Sequence, residues 1–290
     1  MHSYLQAIGF SNIKKDELDH MIYEAIRKPD SHEVALDSEG NEYVEIDMLV
    51  CDHMGIAIRG VYDADDNFKV DYYFPYCQGG SYSTSADLEV IKQSDKESYQ
   101  GFCDEMRLGV NLIFYLQNMM EYLQKSGGRK HFGDHHYRRT FLTGLSLEGK
   151  ILLPVAESLV KKTDNKKTDR TSLMAAAREG DEEAIENLTI DDMDTYSMIS
   201  KRVMKEDVYS IVTTSFMPYG IESDKYSVIA EILDYHKLVN HITMEEMYIL
   251  HVQSNEIEFD VCINTKDLLG EPAVGRRFKG NIWMQGTVEF

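Results

Sequence analysis

The stretch Glu246–Asn264, EMYILHVQSNEIEFDVCIN, decides the fold of the C-terminal part of this chain. Apolar residues recur at every second position on both sides of a small polar pair, Ser254 and Asn255; they are Tyr248, Leu250, Val252, Ile257, Phe259, Val261 and Ile263. A period of two residues is typical of a strand with one buried face, and the polar pair predicts a turn between two such strands. The stretch therefore predicts an antiparallel hairpin.

The segments on either side extend this hairpin into a small barrel. Residues 228–233 and 282–290 also alternate and predict strands. Residues 266–270 predict one short helical turn closed by a glycine, and Pro272 prevents its continuation. The resulting order of strand, strand, strand, short helix and strand predicts a barrel-like part, for which an OB-like barrel is the nearest familiar shape. Because such barrels host unrelated functions, the shape predicts no activity by itself.

The N-terminal half combines helices with antiparallel strands. Apolar residues at helical spacing between Leu18 and Ile26 predict an amphipathic helix that ends before Pro29. Segment 95–103 predicts a polar helix, and 108–116 fits either a strand or the start of a helix. The predicted strands are 42–51, 55–62, 68–74 and 87–93, followed by a hairpin of 140–147 and 150–155 that turns at Glu148 and Gly149.

The sequence predicts an α+β protein in two parts. Residues 1–160 form an antiparallel, β-rich N-terminal domain with flanking helices, and the hydrophilic segment 161–170 forms a linker or mobile loop. Residues 171–290 form a helical segment followed by the barrel-like domain. The helical segment is expected to contain two short helices broken at Gly180 and a further helix over 191–204, and a strand is expected over 208–216.

Composition excludes several classes of partner. The 290 residues include 30 Lys and Arg against 50 Asp and Glu, which gives a formal charge of -20. Such a field repels phosphate backbones and anionic lipids, so nucleic acid and membrane are not expected partners. The sequence shows neither a signal peptide nor an apolar run of about 20 residues, and a cytoplasmic location is expected.

A basic, histidine-rich cluster is the first candidate site. Three histidines and one aspartate within residues 131–136 could ligate a borderline metal ion, but the glycines on either side favour a loop without a preformed site. The same cluster could bind an anion or could simply be a solvated loop. The candidate residues are Arg129, Lys130, His131, Asp134, His135, His136, Arg138 and Arg139, and the weak metal candidates among them are His131, His135 and His136.

The second candidate site is the pair Arg276 and Arg277 with Trp283, which is the single tryptophan. Paired arginines beside an aromatic ring could hold a phosphate or stack on a base. Alternatively, Trp283 fills the barrel interior while the arginines pair with Glu271 or other nearby acids. The sequence contains no phosphate-binding loop, no dinucleotide fingerprint and no H-E-x-x-H, so no cofactor is predicted.

Several long phrases resemble an uncharacterised family of clostridial proteins, a domain of unknown function. They are 1–11 (MHSYLQAIGFS), 191–197 (DDMDTYS), 206–212 (EDVYSIV), 216–220 (FMPYG) and 270–286 (GEPAVGRRFKGNIWMQG). The resemblance covers nearly the whole chain. It implies no catalytic or binding residues, because none is known for the family.

Three functions are compatible with these patterns. The aromatic-rich strands, with 18 tyrosines in the chain, favour a non-enzymatic binding or interaction protein whose partner is another protein or a second copy. The alternative is a small-molecule hydrolase or phosphoryl-handling enzyme that uses His131, Asp134, His135 or His136. The third, single-stranded nucleic-acid binding through the barrel, is opposed by the net charge.

Overall fold

The computed structural model describes residues 1–93, 96–105, 107–108, 110–126, 136–155, 172–203 and 208–290. The described chain contains a four-stranded antiparallel sheet and a larger sheet, part of which closes into a five-stranded barrel. Helices lie between and beside the strands, and this confirms the predicted α+β class and the barrel.

The helices are α1 (Lys15–Arg27), α2 (Met119–Ser126), α3 (172–178), α4 (Glu182–Val203) and α5 (Val208–Ile211), and short 3-10 turns span Ser3–Ile8 and Thr265–Asp267. The prediction for α1 is confirmed, and its apolar face buries Leu18, Ile22 and Ala25. The break at Gly180 is also confirmed, with a positive φ of 89°. The two separate helices predicted after it are wrong, because residues 182–203 form the single helix α4. The strand predicted over 208–216 is wrong in its first half, because residues 208–211 form α5.

The first sheet contains β1 (Ser31–Leu36), β2 (Glu42–Cys51), β3 (Met54–Tyr62) and β4 (Phe68–Cys77) in sequential antiparallel order. The three-strand meander is therefore confirmed, with β1 added at its edge. The second sheet contains β5 (Tyr82–Thr84), β6 (Asp87–Lys92), β7 (Tyr99–Glu105), β8 (Val110–Leu116), β9 (His136–Tyr137), β10 (Thr140–Leu152), β11 (Ser215–Pro218), β12 (Lys225–Val239), β13 (Glu246–Ser254), β14 (Ile257–Asn264), β15 (Leu268–Leu269) and β16 (Arg277–Val288).

The barrel consists of β12, β13, β14, β10 and β16, in that order around its circumference. It closes because the first half of β12 pairs with β16 while its second half pairs with β13. The hairpin predicted from Glu246–Asn264 is confirmed as β13 and β14, with its turn at Asn255 and Glu256, which both have positive φ. The barrel also contains β10, whose residues precede the predicted linker 161–170 and were assigned by the sequence to the N-terminal domain.

Two local predictions are wrong, and in each segment a glycine lies against an aromatic ring. The hairpin predicted at Glu148 and Gly149 is one continuous strand, β10, with a register shift. A Cβ on Gly149 would lie 2.4 Å from the ring of Phe278, so the glycine makes room for the barrel interior. Residues 99–103 of the predicted polar helix 95–103 instead belong to β7, in which every second residue is buried and Gly101 lies under the ring of Phe114.

The apolar residues form two cores. The first fills the barrel and extends beneath β7, β8 and α2. The second lies between the first sheet, α1 and the outer face of the barrel, and it includes Leu145, Ile249 and Trp283. Trp283 therefore does not fill the barrel interior as one reading expected; its neighbours Ile282 and Met284 do.

The predicted linker, 161–170, lies outside the described residues, and the division of the chain into two domains stays a prediction. Within the described ranges, no helix combines the length and the apolar character that crossing a membrane requires.

Candidate functional site

The basic, histidine-rich cluster is only partly described. Arg129, Lys130, His131, Asp134 and His135 lie outside the described residues, and His136 is described only through its backbone in β9. The assignment of these residues as a ligand site stays a prediction. Among the described residues, no group of three or more His, Cys, Asp and Glu side chains is arranged to hold a metal ion.

The last two members of that cluster contact the C-terminal residues. Arg139 Nη1 lies 3.4 Å from Glu289 Oε1, and its guanidinium lies over the ring of Phe141. The guanidinium of Arg138 lies 5.6 Å from the centre of the Phe290 ring. These contacts stabilise the end of the chain against the start of β10.

Arg276 and Arg277 both donate hydrogen bonds to backbone carbonyls. Arg276 Nη1 donates to the carbonyl of Glu271 at 2.8 Å. Arg277 is buried and donates to the carbonyls of Leu153, Tyr209 and Val212. Burial lowers the pKa of Arg277 below its usual range. Arg277 thereby fastens α5 to the barrel.

Trp283 is not near these arginines. It lies six residues beyond Arg277 on the same strand, which corresponds to roughly 20 Å. Its indole Nε1 donates to Asp224 Oδ2 at 2.9 Å, and its ring lies 4.9 Å from that of His2 and 5.3 Å from that of Tyr115. Burial, with the nearby Lys225 ammonium, lowers the pKa of His2 to about 4. Trp283 therefore belongs to the packing between barrel and first sheet.

A buried ionic cluster between the two sheets is the most elaborate polar site in the described chain. Arg59 is completely buried, and its Nε donates to the carboxylate of Glu45, which lies directly opposite on β2. Its Nη1 donates to the hydroxyls of Tyr72 at 2.9 Å and Tyr115 at 3.0 Å, and its Nη2 donates to the carbonyl of Gln117 at 2.7 Å. The guanidinium also lies 4.6 Å from the centre of the Phe74 ring. Four of the five N–H groups of Arg59 thus donate to oxygen atoms of both sheets, and this cluster holds the sheets together.

Two more carboxyls face this cluster from the edge of the first sheet. Glu33 lies opposite Glu45 on β1, and Asp47 lies two residues farther along β2. Burial, with the charges of Glu45 and Glu33, raises the pKa of Asp47 to about 7, although the Tyr76 hydroxyl and Arg59 act in the other direction. Asp47 can thus take up a proton near neutral pH.

A second polar group lies on the outer face of the barrel. His251 Nδ1 is 3.0 Å from Asp260 Oδ1, and His251 Nε2 is 3.1 Å from Glu258 Oε2. Asp260 Oδ2 also accepts from the Gly80 amide at 2.8 Å. The arrangement orients the imidazole ring, but both of its nitrogens already have carboxylate partners. It stabilises the hairpin and brings the β4–β5 loop to the barrel.

The sequence alone indicates that Arg59 and His251 are unusual but does not identify their partners. Arg59 interrupts an apolar strand, and such an arginine needs a buried partner. The hairpin register pairs His251 with Asp260 only when the turn is placed at Asn255 and Glu256, and a turn at Ser254 and Asn255 gives a different partner.

The second half of β12 has one free edge in the described part of the chain. In the first half of β12, residues 225–231 pair with β16, and Ile232 exchanges hydrogen bonds with Gly275 and Arg276. A register shift follows, and residues 234–239 pair with β13 alone. We call residues 235–239 the open edge of β12; beyond it, the His241 amide donates to the Val50 carbonyl of β2 at 2.9 Å.

The hydrogen-bonding groups of the open edge can be assigned from the alternation of the strand. The Asn240 amide donates across the hairpin to the Glu245 carbonyl at 2.9 Å. Because alternate residues share an edge, the amides of Lys237 and Val239 point away from β13. The Tyr235 amide lies on the same side and is hydrogen bonded to the Asp234 side chain at 2.8 Å. The open edge therefore presents two amides and the carbonyls between them.

Exposed apolar side chains surround the open edge. They are Tyr235, Val239, Ile242 and Met244, and Met244 is 71% exposed. A strand edge with apolar surroundings is the form in which proteins accept an added strand.

Comparison with known proteins gives a family and no function. No curated protein and no solved structure is significantly similar to this chain. The model of one family, described as "Domain of unknown function, E. rectale Gene description (DUF3881)", matches residues 5–286. The chain therefore belongs to this family, as its resemblance to clostridial proteins predicted.

Proposed function

We propose that the protein is a non-enzymatic interaction protein that binds an extended segment of another protein along the open edge of β12. The observation that carries this proposal is the pair of outward amides at Lys237 and Val239 on a strand whose residues 234–239 pair only with β13 in the described chain. A strand added there would gain main-chain hydrogen bonds, and Tyr235 and Val239 would contact alternate side chains of that strand.

The charge of the chain selects between possible partners. Two copies of a protein with a formal charge of -20 repel each other, whereas a basic segment is attracted and a neutral segment is not repelled. The charged residue Lys237 of the open edge is already paired with Glu246 at 2.8 Å, and Asp234 precedes the edge. An apolar, neutral-to-basic segment of a different protein is therefore favoured over a second copy.

The proposal is tested with a substitution that removes one edge amide and leaves the barrel intact. Val239→Pro deletes an outward N–H and no hydrogen bond of the hairpin, and proline is tolerated at such edge positions. Its matched control is Ile221→Ser, at a fully exposed residue that precedes β12. Capture from an extract of the source cells, quantified by mass spectrometry, should show partners that are lost with Val239→Pro and kept with Ile221→Ser. If both variants captured the same partners in equal amounts, the open edge would not be the binding surface.

A further inference from the structure

Two lysines face each other on the outer surface of the barrel. Lys150 on β10 and Lys279 on β16 are direct register partners. Their side chains point outward, because the adjacent Phe278 lies in the barrel core. Leu269 on β15 is the register partner of Lys150 on its other side and is 74% exposed. Leu269, Lys150 and Lys279 thus form one row across three strands.

The two ammonium groups are not neutralised by the described chain. No described carboxylate lies within ion-pair distance of either lysine, although Asp and Glu far outnumber Lys and Arg in the sequence. Like charges that lie directly opposite each other on neighbouring strands destabilise a sheet. An anion bound between the two ammonium groups would attract both of them and offset their mutual repulsion.

Tyr209 forms one wall of this site. Lys279 Nζ lies 4.0 Å and Lys150 Nζ lies 4.9 Å from the centre of its ring, and Lys279 also donates to its hydroxyl. Arg277 fixes this arrangement, because its guanidinium donates to the Tyr209 carbonyl at 2.7 Å and to the Leu153 carbonyl. The backbone of Tyr209 is therefore held in place before any ligand arrives.

We propose that Lys150, Lys279 and Tyr209 form a binding site for the phosphate group of a small phosphate monoester. Lysine ammonium groups bind phosphate as point charges, and side chains on directly opposed residues are close enough for one phosphate to contact both. The exposed Leu269 beside Lys150 provides an apolar surface for the esterified group, which inorganic phosphate lacks. The site differs from the earlier expectation for Arg276 and Arg277, whose guanidinium groups donate to carbonyls.

Two probes and three variants test this site. Isothermal titration at low ionic strength would use inorganic phosphate and phenyl phosphate. The site variants are Lys150→Met and Lys279→Met, which keep most of the apolar stem, and the control is Lys69→Met, at an exposed lysine paired with Asp63 on the first sheet. Because each site variant removes a like-charge contact, neither is expected to unfold.

The proposal predicts saturable binding of both probes, tighter for phenyl phosphate, to the native protein and to Lys69→Met. Each site variant should bind about tenfold more weakly or worse, as expected when one charged hydrogen-bond partner is removed. No saturable binding, or equal binding by all variants, would overturn the site. Binding of inorganic phosphate in preference to phenyl phosphate would overturn the assignment to a monoester.

Discussion

Arg59 and Glu45 lie directly opposite each other on β3 and β2, and the fully buried guanidinium donates to the Glu45 carboxylate. This ion pair joins the first sheet to the end of β8, because the same guanidinium also bonds to Tyr115 and to the Gln117 carbonyl. It occupies the interface between the two sheets, where apolar packing alone would not determine how one lies on the other.

Removal of the arginine should strongly destabilise the protein. Arg59→Met leaves the carboxylate of Glu45 buried without its partner, and such losses cost about 3–5 kcal/mol. Chemical denaturation should show this decrease, and the double variant Arg59→Met/Glu45→Gln should recover part of it. Arg27→Met, at an exposed arginine 3.5 Å from Glu24, is the control and should change stability by less than about 1 kcal/mol. A mild effect of Arg59→Met would mean that the cluster does not hold the sheets together.

Asp47 should make stability depend on pH. Its folded pKa is raised to about 7 from an ordinary value of 3.8, so between these values the folded state holds a proton that the unfolded state has released. Stability therefore falls as pH rises from about 4 to about 7, by a few kcal/mol at most because Asp47 is only partly buried. Asp47→Asn should flatten this fall and should stabilise the protein at pH 8. Chemical denaturation of the native protein and of Asp47→Asn at pH 5 and pH 8 tests this prediction. The same change in the free energy of unfolding between the two pH values in both proteins would contradict it.

Gly101 should not tolerate a side chain. A Cβ there would lie 2.2 Å from the ring of Phe114, which also covers Gly286 on the other neighbouring strand. Gly101→Ala should therefore cost about 1–3 kcal/mol through overpacking. In a double-mutant cycle, Phe114→Leu should relieve much of this cost, because the shortened side chain leaves room for the methyl group. Additive effects of the two substitutions would show that the ring is not the cause.

Patterns within a single segment predicted the fold well. The period of two residues found β13 and β14, the helical spacing found α1, and the alternation of 42–74 found three strands of the first sheet. These predictions succeeded because a buried face of a helix or strand appears in the local sequence as a regular spacing of apolar residues. The turn predicted at Gly149 failed because this glycine makes room for the distant ring of Phe278. The helix predicted over 95–103 failed because Tyr99, Gly101 and Cys103 lie buried on one face of a strand.

The candidate sites could not be predicted in the same way, because their residues meet only in the folded chain. Lys150 and Lys279 are neighbours through strand pairing, and Arg59 meets Tyr115 across two sheets. The open edge of β12 is defined by where β16 stops pairing with it, and no local pattern records that position.

Photo-crosslinking from the open edge tests the central proposal most directly. A photoreactive phenylalanine derivative would replace Tyr235, which is 38% exposed, or Tyr62, which is 41% exposed on the first sheet and serves as the matched control. We expect crosslinks in the source cells from position 235 to one extended segment of another protein, and their loss when Val239→Pro is added. No crosslink from position 235, or the same products from positions 235 and 62, would contradict it.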